Sequence, residues 1–127
     1  MSQENVKVVQ RLFTALDSQD WEAALGCFDP EVEWSPTEGT FQGVEGVVSS
    51  LAEWLEPWEE HHIEAEEFTA AGDRVVAVIH LTGRGAGSGM EIDQRFFQVY
   101  SVGNGKIIRM VEFVRRAEAL EAAGLRA

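Results

Sequence analysis

The apolar positions near the start of the chain, Val6, Val9, Phe13 and Leu16 with Leu12 beside them, recur at helical spacing. They predict an amphipathic helix from about Gln3 to Leu16 whose apolar stripe must be covered. Asp20 provides a side-chain cap for a second, short helix in which Trp21, Ala24, Leu25 and Phe28 fall on one side before Asp29-Pro30 stops it. A short strand, Val32 to Ser35, follows. After a turn-rich stretch from Pro36 to Gly43, the residues Val44, Val47, Val48, Leu51, Leu55 and Trp58 return to the helical repeat. This is a third helix, with Pro57 near its end.

From His62 the period shortens to that of strands, over Ile63 to Thr69, Val75 to Gly83, Met90 to Val102 and Lys106 to Val114. The separators are turn formers: Ala71-Gly72-Asp73 closes one hairpin, and Asn104-Gly105 signals a tight turn with positive φ at both central residues. Arg116 to Ala123 forms a closing helix that Gly124 ends. The glycine-rich run Gly83 to Gly89 lacks the Lys, the Ser/Thr and the following helix of a phosphate-binding loop. It lies between two strands and reads as a hairpin connection. Three helices, a meander of long antiparallel strands and a short C-terminal helix give an α+β order, not alternating βαβ units.

The 127 residues suit a single domain, 1–127, and 45% apolar content with seven Phe and four Trp is enough for a core. The 22 acidic against 10 basic residues give a formal charge of -12. That charge repels phosphate backbones and anionic lipid, so neither nucleic acid nor a membrane is an expected partner. A single cysteine, Cys27, excludes an intrachain disulfide and a multi-cysteine metal site, and reads as a small buried apolar side chain. The N-terminal residues show no basic segment followed by an apolar one, and no run approaches the roughly 18 apolar residues of a membrane helix. The expectation is a cytoplasmic protein.

Four segments resemble the SnoaL-like proteins of the nuclear transport factor 2 superfamily: Phe28-Asp29-Pro30-Glu31-Val32-Glu33-Trp34, Gly43-Val44-Glu45-Gly46-Val47, Gly105-Lys106-Ile107-Ile108, and Arg116 to Gly124. They mark a helix stop, a helix start, a hairpin turn and the last helix, and span nearly the whole chain. The resemblance implies a curved, mixed or antiparallel sheet wrapped around three N-terminal helices, forming a cone with an interior pocket. It does not choose a chemistry, because the superfamily includes polyketide cyclases, ketosteroid isomerases, limonene-epoxide hydrolases, scytalone dehydratases and proteins with no catalytic role.

On the strand from Met90, Ile92, Gln94, Phe96, Gln98 and Tyr100 share one face, which should look into the cup, while Glu91, Asp93 and Arg95 share the other. On the last strand, Ile108, Met110, Glu112 and Val114 alternate with Ile107, Arg109, Val111 and Phe113, and both sets are mostly apolar. Pattern leaves this strand open. Resemblance to the epoxide hydrolases, which carry a carboxylate at the matching place, puts Glu112 inside with Ile108 and Met110 beside it. A desolvated carboxylate there has a raised pKa and suits proton transfer. The alternatives are a structural Glu112 bonded by Gln98 or Tyr100, or a solvated one.

The family chemistries do not transfer intact. Where epoxide hydrolases need an Arg and a further Asp on an earlier strand, the resemblance matches Ile79 and Leu81. Where ketosteroid isomerases use a Tyr on the first helix, this chain has Phe13 and Leu16. Scytalone dehydratases use a His pair with tyrosines, and Tyr100 is this chain's one tyrosine. His61 and His62 are adjacent on a strand and point to opposite faces, so they do not share an ion, and His80 faces away from the interior. No metal or cofactor is expected.

The resulting expectation is a pocket for a small apolar or aromatic, polyketide-like molecule, with Glu112 for acid-base isomerisation, cyclisation or dehydration. Its ligand-binding walls would be Phe13, Leu16, Trp34, Trp54, Trp58, Ile79, Leu81, Gln94, Phe96, Gln98 and Tyr100. The alternative is a non-catalytic binding or dimerisation module. A homodimer is expected, because the outer sheet face carries Val76, Val78, Phe97, Val99, Val111 and Phe113.

Overall fold

In the computed structural model, which describes residues 2–125, the first apolar stripe becomes α1 (Ser2–Asp17). The Asp20 carboxylate accepts a hydrogen bond from the Ala23 N–H at 3.1 Å and caps α2 (Trp21–Leu25). That helix is shorter than its sequence pattern. Phe28 does not complete its face but opens β1 (Phe28–Ser35). Pro30, which has no N–H to give, lies where the pairing of β1 is interrupted between Phe28 and Glu33.

The remaining elements are β2 (Phe41–Gln42), α3 (Gly43–Leu55), β3 (Trp58–Ala71), β4 (Arg74–Gly85), β5 (Glu91–Gly103), β6 (Lys106–Phe113) and α4 (Arg116–Ala122). Trp58 belongs to β3 and not to the third helix, which stops at Leu55 ahead of Pro57. The predicted turns form as their residues require. Asn104 and Gly105 take φ of 52° and 75°, and Gly72 takes 63°. Gly124, at φ 81°, lets the Leu125 N–H reach back to the Leu120 carbonyl and end α4.

The six strands form one open mixed sheet in the order β2-β1-β6-β5-β4-β3, with β1 parallel to β6 and every other pair antiparallel. Three extra residues reset the alternation along it. Glu59 and Glu66 bulge out of β3, and Ile108 out of β6. A bulge flips the parity of all that follows and bends its strand. Thus Phe68 as well as Ala65 packs toward the helices, and Ile107 is fully buried while Ile108 is 41% exposed. The inward position expected for Ile108 is therefore corrected to Ile107, and Glu112, on the far side of the bulge, keeps its inward phase with Met110.

One face of the sheet meets α1, α2 and α3 in the main core, where Val9, Leu12, Val32, Val47, Ile79, Tyr100 and Met110 are fully buried. The opposite face is not left bare as the strand pattern implied. Ala119 and Ala123 of α4 pack on Val76 and Val99, and Arg116 lies over the Phe97 ring at 5.4 Å. The chain itself covers part of the surface assigned to a second subunit, leaving Phe97, Val111 and Phe113 half-buried.

Candidate functional site

Between α1, α3, the segment after β1 and the inner face of the sheet lies a cavity of about 350 Å³. Its aromatic lining follows from strand and helix phase. Trp34 comes from β1, beside Met110 of β6; Phe96 and Tyr100 come from β5; Phe13 and Leu16 come from α1; Trp54 comes from α3. The rings meet edge to face, with centroids 6.1 Å apart for Phe13–Tyr100, 6.2 Å for Trp34–Tyr100 and 6.0 Å for Trp54–Phe96. This geometry is the favourable one for ring quadrupoles and fixes the walls.

Within that apolar shell runs one chain of polar groups. Tyr100 is fully buried, so its hydroxyl needs a partner, and it donates to Gln98 Oε1 at 2.5 Å. That bond orients the amide, whose Nε2 donates to Glu112 Oε1 at 2.9 Å. Gln98 and Glu112 face each other across the β5–β6 ladder, the register that makes this contact possible. Burial raises the Glu112 pKa above its ordinary value of 4.5, opposed by the Gln98 bond and by the backbone N–H of Thr37. Burial also raises Tyr100, with the Glu112 charge adding to it, so the phenol stays protonated. The arrangement places a partly buried carboxyl, held by Gln98, at the wall of an aromatic chamber.

Of the residues singled out in the sequence, Phe13, Leu16, Trp34, Trp54, Phe96, Gln98, Tyr100 and Glu112 line this cavity, and Trp58, Ile79, Leu81 and Gln94 do not. Ile79 and Leu81 are buried to 0% and 1% exposure. Phe96 beside Ile79 and Ile63 beside Leu81 reach the cavity in their place. Gln94 shares the face of Gln98 but lies four residues nearer the Gly85–Glu91 end and is exposed. Trp58 pairs with Gly85 near that same end, and its Nε1 is buried with no hydrogen-bond partner among the described residues.

Neither His61 nor His62 lines the cavity; His62 Nδ1 instead meets Asp17 Oδ1 at 2.8 Å. His80 faces the other side of the sheet, 2.6 Å from Asp93 and 3.5 Å from Glu66. No group of three or more possible metal ligands occurs among the described residues.

The sequence reading missed Pro36, Thr37, Glu38, Phe41, Ser50, Leu51, Glu53 and Ile63 as lining residues. Ser50, Leu51 and Trp54 follow Val47 at helical spacing, so the inward face of α3 was present in the pattern. The segment from Pro36 to Thr40 has no period to read.

A model of the SnoaL-like domain matches residues 9–110. The chain belongs to the SnoaL-like family. No curated protein sequence matches it. Among solved structures, this SnoaL-like chain is similar to a candidate SnoaL-like polyketide cyclase from Jannaschia sp. CCS1, at TM-score 0.80 and 25% identity over 88% of this chain and 85% of that one. It is also similar to TerC co-crystallised with polyporic acid, at TM-score 0.79 and 22% identity over 95% and 98% of the two chains. A cystatin-like protein of unknown function from Xanthomonas campestris aligns at TM-score 0.77 and 21% identity over 96% and 98%. These likenesses bear out the α+β cystatin-like fold of this SnoaL-like domain, and no helix among its described residues is long and apolar enough to cross a membrane.

Proposed function

We propose that this SnoaL-like domain binds a small aromatic, polyketide-like molecule and performs acid-base chemistry on it, with Glu112 as the proton-transfer group. The observation that carries the reading is the Glu112 carboxyl at the wall of an aromatic cavity, with its pKa raised by burial and Gln98 holding one oxygen. A proton-transfer group works best when its pKa approaches the working pH. Gln98 and Tyr100 position Glu112, and Trp34 with Phe96 provide the flat walls. That TerC was co-crystallised with polyporic acid and that the Jannaschia protein is a candidate polyketide cyclase support the ligand class by analogy. The proposal extends to a cytoplasmic homodimer that takes up neither nucleic acid nor membrane.

The test is deuterium exchange at an acidic C–H of a bound aryl ketone, followed by NMR. The wild type should accelerate exchange, and Glu112→Gln should lose roughly 10² or more of that acceleration. Equal rates in the two proteins would leave the second reading, a non-catalytic binding module. That reading is favoured by the internal satisfaction of the Tyr100–Gln98–Glu112 chain, which is also what a purely structural network would look like.

A further inference from the structure

The charges around the cavity are one-sided. Three carboxylates line it, Glu38, Glu53 and Glu112, and none of the lining residues is Lys, Arg or His. Glu38 and Glu53 are exposed, so they stand on the solvent side, whereas Glu112 is partly buried beside Gln98. None of the three has an ion-pair partner among the described residues, although ion pairs involving Glu33, Glu59, Glu60, Glu66 and Glu67 form elsewhere on this surface.

A separate observation points the same way. Ser50 is only 8% exposed, lines the cavity, and has no hydrogen-bond partner for its hydroxyl among the described residues. Unlike the sealed Trp58 Nε1, this hydroxyl is open to the cavity, so it is free to bond to a ligand atom. The wall's own donors are partly engaged, since the Tyr100 hydroxyl and one Gln98 N–H are turned inward on the network. What the lining offers an occupant is ring faces and three carboxylates, beside the indole N–H groups of Trp34 and Trp54 and the Ser50 hydroxyl.

We infer that the cavity selects an aromatic ligand bearing a protonated amine, whose ammonium is received by the Glu38, Glu53 and Glu112 oxygens and the Ser50 hydroxyl, and that it rejects aromatic carboxylates. The inference rests on the pocket reading proposed above and assigns the charge of its ligand. The rings of Trp34, Trp54 and Phe41 add attraction, because a cation over an aromatic face is stabilised by the ring quadrupole. An anion meets three carboxylates and no compensating cation.

Calorimetric titration with naphthylmethylamine, naphthylmethanol and naphthoate, which differ in charge on a common aromatic body, tests this. The amine should bind roughly tenfold tighter than the alcohol, with an affinity that falls as salt rises, and the acid should bind weakest. Because the chain carries -12 overall, general attraction must be separated from the site. The double variant Glu38→Gln, Glu53→Gln should lose most of the amine preference. Glu118→Gln, Glu121→Gln on the exposed side of α4, with the same change in net charge, should keep it. Ser50→Ala should weaken the amine and the alcohol alike. Preference for the alcohol or acid, or equal losses in the two double variants, would overturn the charge assignment and leave the pocket reading intact. Binding of none of the three would overturn both.

Discussion

At the scale of single residues, Glu112 and Trp58 represent opposite uses of burial. The pKa of folded Glu112 lies above the 4.5 expected in the unfolded chain, so between those two values the native state holds more protons. Stability from this group therefore falls as pH rises through that window, and is unaffected below it. Glu112→Gln removes the titration while keeping an oxygen for the Gln98 N–H to meet. Its stability relative to wild type should rise with pH from about 4.5 and level off above the folded pKa, read by urea unfolding across pH. A difference that does not change with pH would show that the carboxyl is not desolvated. Trp58 is the opposite case, a buried donor that gains nothing, because its Nε1 has no partner among the described residues. An orphaned donor costs about 1–3 kcal/mol, so Trp58→Phe should come within about 1 kcal/mol of wild-type stability despite its smaller ring. A loss of about 3–5 kcal/mol, as for truncating a packed aromatic to Ala, would mean that the indole N–H is satisfied in solution. The sequence located the phase of Glu112 only through its family resemblance, since both faces of β6 are apolar. Nothing in the residue order marks an unpartnered indole.

At the scale of elements, the legible features were those with a strong local cause. Helical stripes, the Asp20 cap, the Asn104-Gly105 turn and the Gly124 stop each depend on neighbours in sequence, and each formed. The misplaced residues, Phe28, Trp58 and Ile108, all lie where pairing with a distant strand overrides the local pattern. A bulge is a property of two strands at once, which a one-strand alternation cannot reveal. The β3–β4 pairing near the Glu59 bulge makes one such constraint testable. A Cβ added at Gly83 would sit 2.8 Å from the Glu60 backbone carbonyl, which is fixed within the sheet and cannot rotate away. Gly83→Ala should therefore destabilise the protein by about 1–3 kcal/mol by overpacking, even though alanine normally favours a strand over glycine. Unchanged or higher stability by urea unfolding would mean that β3 separates from β4 at this point.

At the scale of the whole molecule, α4 changes the balance of the outer sheet face. The strand pattern places Val76, Val78, Phe97, Val99, Val111 and Phe113 there, an apolar patch that a partner would cover. By packing Ala119 and Ala123 on Val76 and Val99, the chain removes the centre of that patch from water without a second copy. What remains is the half-buried group Phe97, Val111 and Phe113, with the Glu66–Arg95, Asp93–His80 and Glu33–Arg109 pairs also on the surface. A stable interface buries about 800 Å² per partner, and in the proposed dimer these side chains would form its apolar centre and the surrounding charged residues its rim. In a two-fold dimer the same patch faces itself, and Val111, on the strand between β1 and β5, lies within it. We expect the wild type to sediment at twice the chain mass at micromolar concentration. Because the rim pairs are exposed and screened, the dimer should survive added salt. Val111→Glu would bury a charge in each copy of the apolar centre and should return the protein to the monomer with its fold intact, as judged by its far-ultraviolet circular dichroism. A wild type that sediments as a monomer would show that α4 alone covers this face well enough, and a dimer indifferent to Val111→Glu would place the contact on another surface.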